Sequence, residues 1–266
     1  MRRLGRFSKR CRVGRFDRHA LGVTLLLLLS SLVAVPSARA AAPLPSYLSL
    51  PSSVRQLVTV TSDRWSSTRA TMSAWERDDT GWHRVHGPVR VRLGWNGWVP
   101  AGKRRQNTGT TPAGKFTMPY AFGNRADPGA RLRYRQVDGD DVWPYEPHDP
   151  ATYNIYQPSQ SSASHWRTGY RERLASYGYE YAHAVVLGFN LPSGVHWSAT
   201  RHQYVATHRA DTRRGGGIFL HVQRSRHTAG CVAGPLSDVR WTVRWLDPAD
   251  SPRIVMGPTA WVKSRF

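Results

Sequence analysis

Cysteine is nearly absent from this chain: two in 266 residues, Cys11 and Cys231. Lysine is scarce too, with four among the 38 basic side chains. No Lys/Arg-rich run occurs after residue 40, no internal repeat is visible, and no second apolar stretch reaches the roughly 20 residues that a bilayer span takes. Each gap excludes something. Past the N-terminal segment only Cys231 remains, so an internal disulfide is ruled out. Without a recognisable nucleic-acid module or a concentrated basic stripe, no nucleic-acid partner is expected. Arginine so far ahead of lysine points to codon usage in a GC-rich genome, not to a binding chemistry.

Residues 1–40 have a basic lead, the apolar run LGVTLLLLLSSLVAV over 21–35, and the small-x-small site Ala38-Arg39-Ala40. These are the three parts of a secretory signal. The expected organisation is therefore a signal peptide over 1–40, a Pro/Ser-rich linker over 41–54, and one catalytic domain over 55–266. The location implied is secreted or cell-envelope, with no membrane span once the signal is cleaved. Residues 1–40 hold nine of the 38 Lys and Arg and one of the 17 Asp and Glu, which leaves 29 basic against 16 acidic side chains, a net +13. A surface of that sign favours polyanions. For an exported chain these are anionic cell-wall polymers or a membrane surface.

The periodicity predicts a mainly β domain with one or two helices. QLVTVTS, 56–62, alternates with β-branched residues. Two strands meet at Asp78-Asp79-Thr80-Gly81, a hairpin turn. PVRVRLGW, 88–95, alternates again, and KFTMPY, 115–120, reads as a short strand. Residues 124–165 read as an irregular loop, long enough to be functional and placed to serve as a lid. HAVVLGF, 183–189, and GIFLHV, 217–222, are unbroken apolar runs of the kind found in buried strands. After Pro235, Ser237 and Asp238 can cap a helix whose apolar face is Val239, Val243 and Leu246. PRIVMG, 252–257, is a further strand.

The chemistry converges on GGGIFLHVQRSRHTAGCVAGP, residues 215–235. A leftover thiol in an exported chain is a reactive group or an intermolecular link; the alternative is a buried cysteine acting as a small hydrophobe. Only the thiolate attacks well, so a reactive cysteine needs a base. His221 ends the preceding strand, and nine residues of polar loop can return Cys231 to that strand's end. The turn-like TAGC run would bring backbone N–H groups to the sulfur, and the helix near Ser237 would add its positive end. Other groupings are weaker. His83 and His86 fall on opposite faces of a strand. His196, His202 and His208 lie in a loop-like stretch, and Asp138, Asp140 and Asp141 lack the spacing of a calcium loop. No metal site is expected.

IFLHV…HTAGCVAGP, followed by a helix and WLDP…PRIVMG, resembles the YkuD-type L,D-transpeptidase catalytic domain, in a branch with T-A-G-C at the cysteine. Upstream, GTTPAGKF resembles the family's T-P-x-G-x-F signature, and ATYNIY and YAHAVVLGFN add thinner matches. The resemblance implies a β-rich mixed-sheet fold and an exported enzyme acting on peptidoglycan stem peptides, with no cofactor. It makes Cys231 the nucleophile, which attacks the third stem residue and expels the terminal D-alanine. The acyl group then passes to another stem's amine as a 3→3 cross-link. His221 becomes the proton carrier, and Thr228, Ala229 and Gly230 shape the oxyanion site. Ala229 stands where better-known members have histidine, and His227, two residues away, is the auxiliary candidate. His221-Val222 replaces the usual His-Gly, and the interval to the cysteine is short. Hydrolysis by an L,D-carboxypeptidase or amidase, and a non-catalytic wall-binding module, are the alternatives.

Overall fold

A computed structural model describes residues 42–266 apart from 159, 160 and 162. The segment read as a secretion signal lies outside the described residues. Those described form β1 (Gln56–Ser62), β2 (Arg69–Asp78), β3 (Gly81–Arg92), β4 (Trp98–Pro100), β5 (Thr111–Thr117), β6 (Ala121–Gly123), β7 (Tyr134–Gln136), β8 (Val142–Pro144), β9 (Arg171–Arg173), β10 (Ala184–Val186), β11 (Ser193–Ser198), β12 (Gln203–His208), β13 (Phe219–Val222), β14 (Val232–Gly234) and β15 (Arg253–Pro258). Two helices follow late in the chain, α1 (Leu236–Trp245) and α2 (Thr259–Arg265). Eleven strands make one sheet in the order β4-β5-β15-β1-β2-β3-β14-β13-β10-β6-β7, with parallel pairs at β4–β5, β15–β1, β14–β13 and β6–β7. The mainly β, mixed-sheet expectation holds.

The long hairpin is built as its sequence asks. Asp78 accepts the Thr80 backbone N–H at 2.8 Å and its hydroxyl at 2.7 Å, and Gly81 takes φ +120°. PVRVRLGW is not a separate strand: β3 runs through Pro88 to Arg92, with a register shift opposite Met72–Trp75 absorbing the irregularity. The strand expected at 115–120 starts earlier, at Thr111, because β5 pairs with both β4 and β15.

Two cores sandwich the site-bearing strands. Leu220, Val222 and Val232 face α1 through Val239, Val243 and Leu246. Phe219, Ala184, Val186 and Cys231 face the other way, into a second core with Trp143, Leu174 and Tyr181. The helix face is as read, but its cap is not. Pro235 occupies the N-cap without a side-chain acceptor, and Asp238 lies in the first turn, accepting from His86 at 2.7 Å. Residues 44–54 are more than a linker. Leu44, Leu48 and Leu50 pack on a third core with Leu57, Trp75, Val255 and Val262, so the Pro/Ser composition masked a short apolar anchor.

The stretches read as loops carry structure. Residues 191–208 form the β11–β12 hairpin, which puts His196 and His208 on strands and His202 in the turn. Within 124–165 lie β7 and β8, and β8 pairs antiparallel with β9, Trp143 opposite Glu172. These strands are three residues long, too short for alternation to register.

Candidate active site

Cys231 immediately precedes β14. Because β13 and β14 run parallel, with Leu220 opposite Val232 and His221 opposite Ala233, the loop between them delivers Cys231 level with Phe219. The cysteine thus lies at the start of β13, not at its end as the loop length suggested. Side chains alternate across a strand, so Phe219, His221, Cys231 and Ala233 share one face. The Tyr181 ring meets Phe219 and His221 edge-on, at 5.7 and 5.4 Å. His221 is therefore one side-chain step beyond the cysteine, roughly 6.5 Å of strand rise.

The thiol donates to the Gly217 carbonyl at 3.2 Å and accepts the Phe219 N–H at 3.4 Å. Gly217 is fixed in turn: its N–H goes to Asn154 Oδ1 at 2.8 Å, and the same oxygen accepts from Trp143 Nε1. His221 Nδ1 donates to the Val222 carbonyl at 2.9 Å, which leaves Nε2 as the acceptor nitrogen. No hydrogen bond joins thiol and imidazole among the described residues. Burial pushes the Cys231 thiol up to about 12, with the neighbouring Glu172 charge adding to it and the Phe219 N–H and Arg104 opposing. Burial likewise pulls His221 down to about 4, against the carbonyls of Val222 and Glu180. A gap of that sign makes the resting pair a thiol and a neutral imidazole.

The TAGC run does its work through the backbone. Thr228 Oγ1 donates to the Cys231 carbonyl at 2.7 Å and accepts the Gly230 N–H at 3.1 Å. That N–H is thus spent on Thr228 and does not point at the sulfur. Thr228 also bridges to Gly94, and its N–H and C=O bond Leu93 and Trp95, which ties the loop to the end of β3. Ala229 is exposed on the pocket rim. His227 is exposed and meets only the edge of Trp95, at 6.2 Å. The helix-end expectation fails: α1 packs on the opposite face of the sheet from Cys231.

Three side chains that the sequence did not single out surround the thiol. Its pocket, of about 100 Å³, is walled by Arg104, Tyr145 and Glu172 as well as Trp95 and the 215–218 turn. Glu172 accepts from Tyr181 at 2.6 Å and Tyr145 at 3.2 Å, and burial raises its carboxyl to about 7. Nothing local marks these residues. Glu172 sits in Arg-Glu-Arg and Arg104 in Lys-Arg-Arg, strings that read as solvated surface; only the β8–β9 pairing brings Glu172 over the cysteine.

The model of the YkuD L,D-transpeptidase catalytic domain matches residues 67–256. The chain belongs to that family. No curated protein and no solved structure matches it. The YkuD match takes in both the GTTPAGKF segment and the Cys231 segment. It begins after β1, although β1 lies inside the sheet between β2 and β15. YkuD domains act on peptidoglycan peptides. Among the described residues no group of three or more His, Cys, Asp and Glu side chains is arranged to hold a metal ion, and no helix is long and apolar enough to cross a membrane.

Proposed function

We propose that this chain is an exported L,D-transpeptidase that forms 3→3 cross-links between peptidoglycan stem peptides through an acyl-enzyme on Cys231. The observation that supports it most is the seating of Cys231: a free cysteine lining a small pocket with Arg104, Tyr145 and Glu172, on the same sheet face as His221 and one step from it. A cysteine kept only as a small hydrophobe would need no such pocket. Exported, the protein would consist of a signal over 1–40 and a catalytic domain over 55–266 with the 41–54 segment anchored on it, in the cell envelope. Its net +13 would hold it to anionic wall polymers.

The two protonation states define the chemistry. With the thiol near 12 and the imidazole near 4, a preformed thiolate–imidazolium pair does not exist at rest. The proton passes to His221 Nε2 only as the sulfur closes on the carbonyl of the third stem residue. The imidazolium then returns it to the departing D-alanine nitrogen as the C–N bond breaks, leaving a thioester. The amine of a second stem attacks, its proton goes to His221 and on to the sulfur, and the thiol is restored. Thr228 and Gly230 hold the Cys231 backbone for that cycle, and Ala229 leaves the rim open. No cofactor takes part.

The test is mass spectrometry of products from disaccharide-tetrapeptide muropeptides, with Cys231→Ala alongside. Loss of D-alanine that requires Cys231 is expected, with cross-linked dimers appearing. Tripeptides in place of dimers would make the enzyme a carboxypeptidase. D-Alanine release by Cys231→Ala would remove the nucleophile assignment, and no turnover by either chain would favour a wall-binding module.

A further inference from the structure

Arg104 is a buried cation without an anion. Its residue is 4% exposed, and no ion pair reaches it among the described residues. Nε donates to the Thr110 carbonyl at 3.1 Å and Nη1 to the Arg214 carbonyl at 2.6 Å. These neutral acceptors orient the guanidinium but leave its charge uncompensated. Nη2 has no hydrogen bond among the described residues. The fold also clears room for the group. A Cβ at Gly215 (φ +83°) would lie 2.0 Å from Nη1, and one at Gly230 (φ +142°) 3.1 Å from Nη2. Phe189 backs it, 5.5 Å from the guanidinium carbon. Buried charges are ordinarily paired, and the planar guanidinium fork suits carboxylates best. Arg104 and Cys231 line one pocket.

We propose that Arg104 binds the free α-carboxylate of the residue that Cys231 displaces. This rests on Cys231 being the acylated nucleophile. A donor whose terminal carboxylate is capped loses that contact.

Two measurements on the full chain separate this proposal from the functional one. The first is the alkylation rate of Cys231, read by peptide mass spectrometry, with iodoacetate and with iodoacetamide. Each ratio is referred to the same chain unfolded in urea. In the folded wild type the iodoacetate preference should rise about tenfold, the scale of one charge-assisted hydrogen bond. Arg104→Gln should abolish the preference and Arg104→Lys should keep part of it. Equal slowing of both reagents in Arg104→Gln would show that Arg104 serves the thiolate alone, and would overturn the proposal. So would a wild-type ratio no higher than the unfolded chain's, or a folded Cys231 closed to both reagents. Should Arg104→Gln fail to fold, protection of wild-type Cys231 by N-acetyl-D-alanine but not by its amide supports the carboxylate site, and equal protection by both overturns it. The second measurement compares tetrapeptide donors ending in D-alanine acid and D-alanine amide. A preference for the acid of tenfold or more in kcat/KM is expected, and equal use overturns the proposal. If neither peptide is turned over, the stem-peptide assignment fails while the alkylation ratio still decides the role of Arg104.

Discussion

Glu146 lies just past β8 and Glu172 on its partner β9, and they have been given opposite characters. Glu146, only 5% exposed, is gripped by Arg167 through Nε at 2.6 Å and Nη2 at 2.5 Å, and those bonds hold its carboxyl down to about 2. Glu172 meets only tyrosine hydroxyls, and burial raises it to about 7. The partner decides: a guanidinium fork favours the charged form, while two neutral donors do not offset desolvation. The same contrast separates Arg167 from Arg104. Where the molecule needs a latch it pairs its charges, as in Arg201–Asp149 and Arg213–Asp211. Around Cys231 it leaves a cation and an acid each without an ionic partner among the described residues.

The contrast sorts residues into those that do chemistry and those that hold the cover, and His221 gives the largest expected separation. His221→Ala should lower kcat by about 10²–10⁴-fold, the usual worth of a positioned acid–base group. Glu146→Gln should leave the turnover of folded molecules unchanged while lowering their melting temperature. If both variants lost kcat equally, the division between latch and reaction pocket would be wrong.

How much of this was legible in the sequence follows the same division. Gln56–Ser62 and the Asp78–Gly81 turn could be read because β-branched alternation and a positive-φ glycine are local signals. Cys231 and His221 could be read from residue type, since a thiol and an imidazole ten residues apart on an apolar strand carry their chemistry with them. Their relative placement could not, because the parallel register that sets Cys231 beside Phe219 belongs to the sheet and not to the intervening loop. Arg104 and Glu172 were illegible for a further reason. Their neighbours are charged, and what makes them unusual is that no ionic partner meets them among the described residues, a property only of the folded chain.

The next effect is in stability against pH, and its signs are opposed. Glu172 has a raised folded value, so its contribution is fully present below about 4.5 and is lost as pH rises through about 7. Glu172→Gln should therefore improve in stability relative to wild type over that interval, by on the order of 2 kcal/mol after allowing for its partial access to solvent through the pocket. Glu146 has a depressed value, so its contribution is present above about 4.5 and lost as pH falls through about 2. The deficit of Glu146→Gln should be complete at neutral pH and shrink in acid. Urea unfolding of both variants at pH 3, 5 and 8 checks this. Parallel trends would mean that tyrosine and arginine partners do not distinguish the two carboxyls.

The smallest effect concerns His227, the group that stands nearest in sequence to the histidine slot that Ala229 fills. Its ring is exposed, is absent from the pocket wall, and touches only the outer edge of Trp95. Its neighbour in the chain does the structural work, since Thr228 bonds both the Cys231 carbonyl and the Gly230 N–H. An exposed side chain without a bond to lose shifts free energies by no more than about 0.5 kcal/mol. His227→Ala should therefore change kcat/KM by about twofold or less, with the pH profile unmoved. A displaced pH limb in that variant would bring His227 into the proton path and give the pocket a second base.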